Sequence, residues 1–434
     1  NGVRESRVWR DLLGLQNTVV EAVEVDEDTG VIVVHARPTA SRRGRCGACQ
    51  RPSPGYDAGD GRRRWRALDL GTMKAFVEAD SPRVRCRRHG VIVASVPWAR
   101  HDAGHTRDFD DQVAWLATVT SKTAVTNLMR VAWRTVGSII ARVWADTGGA
   151  VDRLEGLARI GIDEISYRRG QQYLTVVVDH DSGRLVWAAP GNNTATLRGF
   201  FDALGPDRSA AITHVSADGA DWIALVVAER IPQAVVCADA FHVVQWATAA
   251  LDQVRIESWR AARAAARSEP KPRRGPRTAT SPKRPASERA RSLKLSRYAL
   301  WKNPEDLTVH QCARLDWIAK TDPRLHRAYL LKEGLRTLFQ MPYEQAVEAL
   351  DIWLGWARRS RIPAFTKLAV SIKNHREAIL NAIAHRLSNA LIESVNTKIR
   401  LITRIAFGFK NVDALIALAM LSLGGHRPAL PGRN

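Results

Sequence analysis

Ala158-Arg-Ile-Gly-Ile-Asp163, Tyr173-Leu-Thr-Val-Val-Val178 and Arg184-Leu-Val-Trp-Ala188 are apolar, β-branched runs close together in the chain, and the first ends on a carboxylate. Their composition reads as three strands. Asp181-Ser182-Gly183 is turn chemistry, so the second and third form a hairpin. A helix follows over Ala195–Leu204, then a strand over Ala211–Ser216, a helix from near Asp221 and a strand over Gln233–Ala238.

This β-β-β-α-β-α-β order is that of a ribonuclease-H-like α/β core apart from its final helix. In such a core the first and fourth strands are neighbours. Asp163, in Gly161-Ile162-Asp163-Glu164, and Asp218, in Val215-Ser216-Ala217-Asp218-Gly219, are then expected to converge. The helix Ser388–Arg400 supplies the missing element and a third carboxylate, Glu393. Asn389, Glu393, Asn396 and Arg400 recur at spacings of four, three and four, a polar stripe on one helical face. Leu391, Val395, Ile399 and Ile402 lie toward another side.

Taken singly, each acid reads as a solvated cap or turn residue. Taken together they point to metal, because clustered carboxylates are costly without cations. Oxygen ligands suit Mg²⁺, with Mn²⁺ able to substitute. Two such ions about 3.5–4 Å apart would activate an attacking water or 3′-hydroxyl and stabilise a leaving oxygen. Asp239, in Cys237-Ala-Asp-Ala-Phe-His242, is also well placed. Strand order favours Asp218 as the second ligand. Asp239 and His242 then support the site or contact the DNA backbone, or His242 is simply a hydrogen-bonded histidine at a helix start. Glu164 and Asp221 read as bystanders.

The formal net charge of +21 over 434 residues points to a polyanionic partner, since neutralising phosphates releases counterions. No uncharged apolar run of about 18 residues predicts a membrane span. No apolar segment follows the first charges as a secretion signal would. Three of the five cysteines have metal-like spacing, which argues for a reducing cytoplasm rather than a disulfide framework.

Those three lie in Cys46-Gly-Ala-Cys49 and Cys86-Arg-Arg-His89. Two-residue spacers let both ligands of each pair reach one ion, so a closed structural Zn²⁺ site is expected. Arg42, Arg43, Arg45, Arg83, Arg85, Arg87 and Arg88 surround the pairs, and Arg85 and Arg87 are assigned to phosphates. His101 and His105 are expected to face solvent or DNA. Thr123–Met129 and Trp133–Val143 read as a helix-turn-helix. Val136, Ile139, Ile140 and Val143 form its apolar stripe, which leaves Arg134, Thr135 and Ser138 for base edges. Arg100, between the modules, is expected to affect neither DNA affinity nor sequence discrimination strongly.

Residues 263–291 read as a disordered or extended basic linker, and 299–423 as helical throughout. Arg297, Trp301 and Lys302 are assigned to a splayed base and its phosphate; the alternative is that Tyr298 and Trp301 are core. The expected whole is a multidomain α+β chain. It comprises a zinc-binding domain (1–100, β-rich), a helix-turn-helix (101–150), the first part of the core (151–250), the linker and an all-α insertion (251–379), and a final catalytic helix with C-terminal helices (380–434).

The stretches Gly161-Ile-Asp-Glu-Ile165, Tyr173-Leu-Thr-Val-Val177, Val215-Ser-Ala-Asp218, Ala238-Asp-Ala-Phe-His-Val243 and Asn389–Arg400 resemble the ISL-three (ISL3) family of insertion-sequence DDE transposases. The CxxC…CxxH region followed by helices also matches that family, although many members carry a fourth Cys where this chain has His89. The resemblance implies a cytoplasmic, nucleoid-associated bacterial enzyme. It would bind inverted repeats and target DNA, as a homodimer in the DNA complex, and cleave and join strands without a covalent protein–DNA intermediate. Two rivals are a catalytically inactive domesticated regulator and a ribonuclease-H-like nuclease. Intact Asp163, Asp218 and Glu393 count against the first, and the DNA-reading modules against the second.

Overall fold

The computed structural model describes residues 2–149, 151–269, 285–406, 408–409 and 411–433. The N-terminal region opens on a helix, α1 (Gly2–Leu12), which the β-rich reading did not include. Seven strands follow: β1 (Thr18–Asp26), β2 (Val31–Pro38), β3 (Gly55–Asp57), β4 (Arg62–Arg66), β5 (Lys74–Asp80), β6 (Arg83–Cys86) and β7 (Gly90–Val93). They form a sheet of order β1-β2-β5-β4 and a smaller one of order β3-β6-β7. Along β5 every second residue is buried, as a sheet with one core face requires. That face packs around Trp65 and Trp98, edge to face at 5.6 Å.

Three helices come next, α2 (Arg107–Val119), α3 (Lys122–Met129) and α4 (Trp133–Gly148). Thr106 and Ser121 cap the first two, and Arg130 ends α3 in the left-handed conformation (φ 52°). The stripe Val136, Ile139, Ile140 and Val143 is buried, as its helical spacing requires.

The central sheet comprises β8 (Arg159–Arg168), β9 (Gln172–Asp179), β10 (Leu185–Pro190), β11 (His214–Ala217) and β12 (Val235–Ala238), in the order β10-β9-β8-β11-β12. The first three pair antiparallel, and β8, β11 and β12 pair parallel. α5 (Thr194–Leu204) and α7 (Asp221–Arg230) cover one face through Leu197, Phe200, Phe201, Ile223 and Val226, and the short α6 (Pro206–Ala210) lies between them in the chain.

α8 (Ala240–Arg267) runs straight through the expected boundary at 250 and takes the first residues of the expected linker. At 1.5 Å per residue it is about 42 Å long. α9 (Pro285–Leu295) takes the linker's last residues, and 270–284 lie outside the described residues. The helices that reach into those ends are anchored mainly from outside them: Leu251, Val254, Ala262 and Leu293 enter one helical core, with Ala290 the one buried residue within the linker's described ends. That core is completed by α10 (Arg297–Trp301), α11 (Val309–Thr321), α12 (Pro323–Leu338), α13 (Tyr343–Arg359), α14 (Pro363–Asn374) and α15 (Arg376–His385). α15 crosses the expected boundary at 380.

α16 (Ala390–Ile405) and α17 (Val412–Leu423) return to the second face of the central sheet. α17 is apolar nearly all round, and it is buried on two sides. Leu415, Ala419 and Met420 pack on the sheet, while Ala417, Leu418 and Leu421 pack against α2 and α4. The last helix thereby ties the helix-turn-helix to the central sheet.

A buried charge network lies where the N-terminal region meets α2 and α4. The Arg100 side chain is only 8% exposed, and its Nε and terminal nitrogens reach Asp146 (2.8 Å) and Asp111 (2.7 Å), with Asp110 at 3.8 Å. Arg142 reaches Asp110 at 3.0 Å and Arg107 reaches Asp146 at 2.9 Å. Arg100 is therefore a structural hub, a role separate from the DNA contacts for which it is expected to be unimportant. His105 is likewise not turned to solvent: it stacks on Phe109 at 5.0 Å, and burial, then Arg142 and Arg66, holds its imidazole down at about 4. His101 is exposed, as expected, beside the zinc region, where a Cβ at Gly47 would stand 2.7 Å from its Nδ1.

Candidate functional site

The acidic site is built by strand register. Ile162 pairs with Ala217, and Ala217 with Ala238. Asp163, Asp218 and Asp239 therefore each follow the last paired residue of three adjacent parallel strands, level with one another. Neighbouring strands lie about 4.8 Å apart, so the three form a row. Asp163, expected at a strand end, is not at one: β8 continues past it to Arg168, along β9 alone.

α16 brings Glu393 within the field of Asp239 and His242. The helix docks where β8 has Gly161: a Cβ there would overlap Ile392 Cδ1 and stand 2.8 Å from His180 Nε2. Ile392, Val395 and Ile399 continue the contact against Ile165, Leu174 and Val176. Asn396, three residues beyond Glu393, donates from Nδ2 to Asp163 Oδ2 at 2.7 Å. Asp163 Oδ1 accepts the Glu164 N–H, also at 2.7 Å.

Electrostatics joins the same groups. Burial, with repulsion from Asp218 and Asp239, pushes the Asp163 carboxyl up to about 6. Burial and Asp239 also raise Glu393. His242 is raised first by its hydrogen bond to Asp239 Oδ2 (2.6 Å) and then by the field of Asp239, Asp218 and Asp163. Asp239 Oδ1 caps α8 through the Phe241 N–H at 3.1 Å, so both its oxygens are engaged. Asp218 has one recorded partner among the described residues, the Ala220 N–H to Oδ1 at 3.2 Å. Glu393, however, senses Asp239 rather than Asp218.

The donor set fits a hard cation. Buried oxygens without a hydrogen-bond partner among the described residues include Glu393 Oε1, Asn396 Oδ1, Asn389 Oδ1 and Glu164 Oε2. Burial raises Glu164, and it senses Asp218. Asn389 is fully buried, whereas Arg400 at the far end of the stripe is exposed. Sequence reasoning also missed His180, whose Nε2 meets the fully buried Ser216 Oγ at 2.7 Å. The carboxylates are level but not gathered. Among the described residues, the one group of three or more such side chains with ligand atoms within 4.8 Å of each other is Cys46, Cys49, Cys86 and His89.

That second group fits zinc. Cys49 Sγ to Cys86 Sγ is 3.8 Å, Cys46 Sγ to His89 Nδ1 is 3.5 Å and Cys86 Sγ to His89 Nδ1 is 3.7 Å. A tetrahedron with metal–ligand bonds near 2.0–2.3 Å has edges of about 3.5–3.8 Å. The β6–β7 hairpin carries Cys86 and His89, and Gly90 turns it with φ +68°. Backbone N–H groups of Arg88 and His89 hold the Cys86 thiol down at about 6, favouring the thiolate a metal needs.

The remaining assigned residues sit apart from both groups. Arg87, Arg134 and Ser138 are exposed, and Arg85 is exposed over the Tyr56 ring at 5.0 Å. In the insertion, the Arg297 guanidinium lies 3.9 Å over the Trp301 ring and Lys302 is exposed. Trp301 also packs on the helical core, while Tyr298 is 62% exposed, so the core alternative holds for Trp301 alone.

Residues 160–419 match the ISL3 DDE family, described as "Transposase". Residues 94–144 match "Helix-turn-helix domain of transposase family ISL3", and 42–89 match "zinc-finger of transposase IS204/IS1001/IS1096/IS1165". The chain is similar to the "Transposase for insertion sequence element IS1557" of two Mycobacterium tuberculosis strains. Each is 61% identical, over 100% of this chain and 98% of the relative. It is 27% identical to the "Transposase for insertion sequence element IS1001" of Bordetella parapertussis, over 94% of this chain and 96% of the relative. With its structural zinc ribbon, its helix-turn-helix and its carboxylate-bearing core, the chain belongs to the ISL3 family of insertion-sequence DDE transposases.

Proposed function

We propose that the central sheet with α16 is a ribonuclease-H-like catalytic core in which Asp163, Asp218 and Glu393 hold two divalent cations, Mg²⁺ or Mn²⁺. The observation that carries this is the register row of Asp163, Asp218 and Asp239, with α16 bonded to Asp163 through Asn396 and its Glu393 in the field of Asp239. Such ions, when bound, activate the attacking oxygen and stabilise the leaving oxygen. Asp218 is the second ligand, because Asp239 already caps α8 and orients His242. His242, held at Nδ1, keeps Nε2 for a phosphate oxygen of the scissile strand. The reading further has Arg85 and Arg87 on phosphates, Arg134 and Ser138 on inverted-repeat bases, and Arg297, Trp301 and Lys302 on a strand leaving the site. Two copies act on paired ends, in a nucleoid-bound, cytoplasmic complex.

The test is cleavage and strand transfer on inverted-repeat DNA. Asp163→Ala, Asp218→Ala and Glu393→Ala should each cut the rate by about 10⁴-fold or more while end binding persists. Full activity in Asp218→Ala, with loss in Asp239→Ala, would move the second ligand to Asp239.

A further inference from the structure

We propose that Asn396 is a positioning residue that locks the carboxylate of Asp163 to the helix bearing Glu393. The inference rests on the reading of Asp163 and Glu393 as catalytic. Asn396 and Asp163 are 233 residues apart in the chain and both are buried, at 3% and 7% exposure. An apolar helix face could dock on β8 through Ile392, Val395 and Ile399 alone. A buried amide in that face is costly unless it is used.

Its use is geometric. Asp163 has one donor on each oxygen, the Glu164 N–H on Oδ1 and Asn396 Nδ2 on Oδ2, each at 2.7 Å. Two donors fix the carboxylate plane and leave one lone pair per oxygen for a cation. The bond also sets the amide: turned over, Asn396 would oppose its own oxygen to an ionised Asp163. Asn396 Oδ1 and Glu393 Oε1 are then both left buried without partners, three residues apart on one helical face. One hydrogen bond thus fixes the rotation of α16 over β8 and, through it, the place of Glu393 relative to Asp163. Gly161 makes the approach close enough, because any side chain there would meet Ile392.

Groups that orient ligands typically matter 10–100-fold in metal affinity or activity. Asn396→Leu keeps the volume and removes the donor. Per molecule competent to bind the DNA end, kcat for cleavage should fall about 10–100-fold, with KM for the end within about twofold. Mn²⁺ binding to the DNA-free protein, followed by electron paramagnetic resonance, should weaken about tenfold. Should Asn396→Leu fail to accumulate, Asn396→Gln carries the same test, because one added methylene displaces the amide. Unchanged kcat and Mn²⁺ binding in a variant that binds ends would overturn the proposal. Asp163→Ala run alongside separates the two ideas: if it too keeps activity, the reading of the site fails; if it alone loses activity, only the role of Asn396 does.

Discussion

Two acidic clusters in this chain look alike in composition and differ in what neutralises them. Asp110, Asp111 and Asp146 meet Arg100, Arg107 and Arg142, so the protein supplies its own cations. Asp163, Asp218, Asp239 and Glu393 meet one histidine, His242, and among the described residues form no ion pair with an arginine or lysine. A buried carboxylate with a guanidinium joins elements together; one without has no neutralising partner within the protein. The zinc ribbon is the extreme of the second kind, with ligand atoms already at tetrahedral separations.

Stripping zinc should have the largest effect. Cys46→Ser should release about one zinc per chain and unfold the ribbon, since structural zinc contributes roughly 10 kcal/mol of local folding energy. Metal analysis and hydrogen exchange would check this, and both acidic clusters should stay protected. Retained protection in 42–89 after chelation would show that the ribbon does not depend on its metal.

Next in size is Arg100→Ala. Leaving Asp110 and Asp111 buried with fewer cations should cost about 3–5 kcal/mol in denaturant titration. A loss below about 1 kcal/mol would mean that Arg107 and Arg142 suffice.

Asp163→Asn should act in the opposite direction. A carboxyl raised to about 6 favours the fold while protonated. That contribution is complete below about pH 4 and is lost as pH rises through 6. A side chain that cannot ionise escapes the loss. Metal-free Asp163→Asn should therefore be more stable than the parent at pH 7.5, by up to about 3 kcal/mol. At pH 5 the gain should roughly halve, because the parent is then mostly protonated. Melting at both pH values would check the sign. Equal stability at pH 7.5 would show that His242 already balances the cluster.

Much of this was legible in the residues. The β-branched runs, the Asp-Ser-Gly turn and the α4 stripe specify local structure through periods of two and 3.6. The two Cys/His pairs specify a metal site because short spacers on knuckles need little else. Even the neighbouring of β8 and β11 followed from strand order. What escaped were side-chain roles decided by burial against partners far away in the chain. Arg100, His105 and Glu164 look like surface residues until α2, α4 and the strand ends close around them. The two-sided burial of α17 and the bond between Asn396 and Asp163 belong to the same class. The sequence by itself determined which segments fold and which atoms can bind metal, because these follow from side-chain chemistry at short range. The tertiary structure alone decided which carboxylates have protein cations and which do not, because burial and pairing are properties of the packed chain.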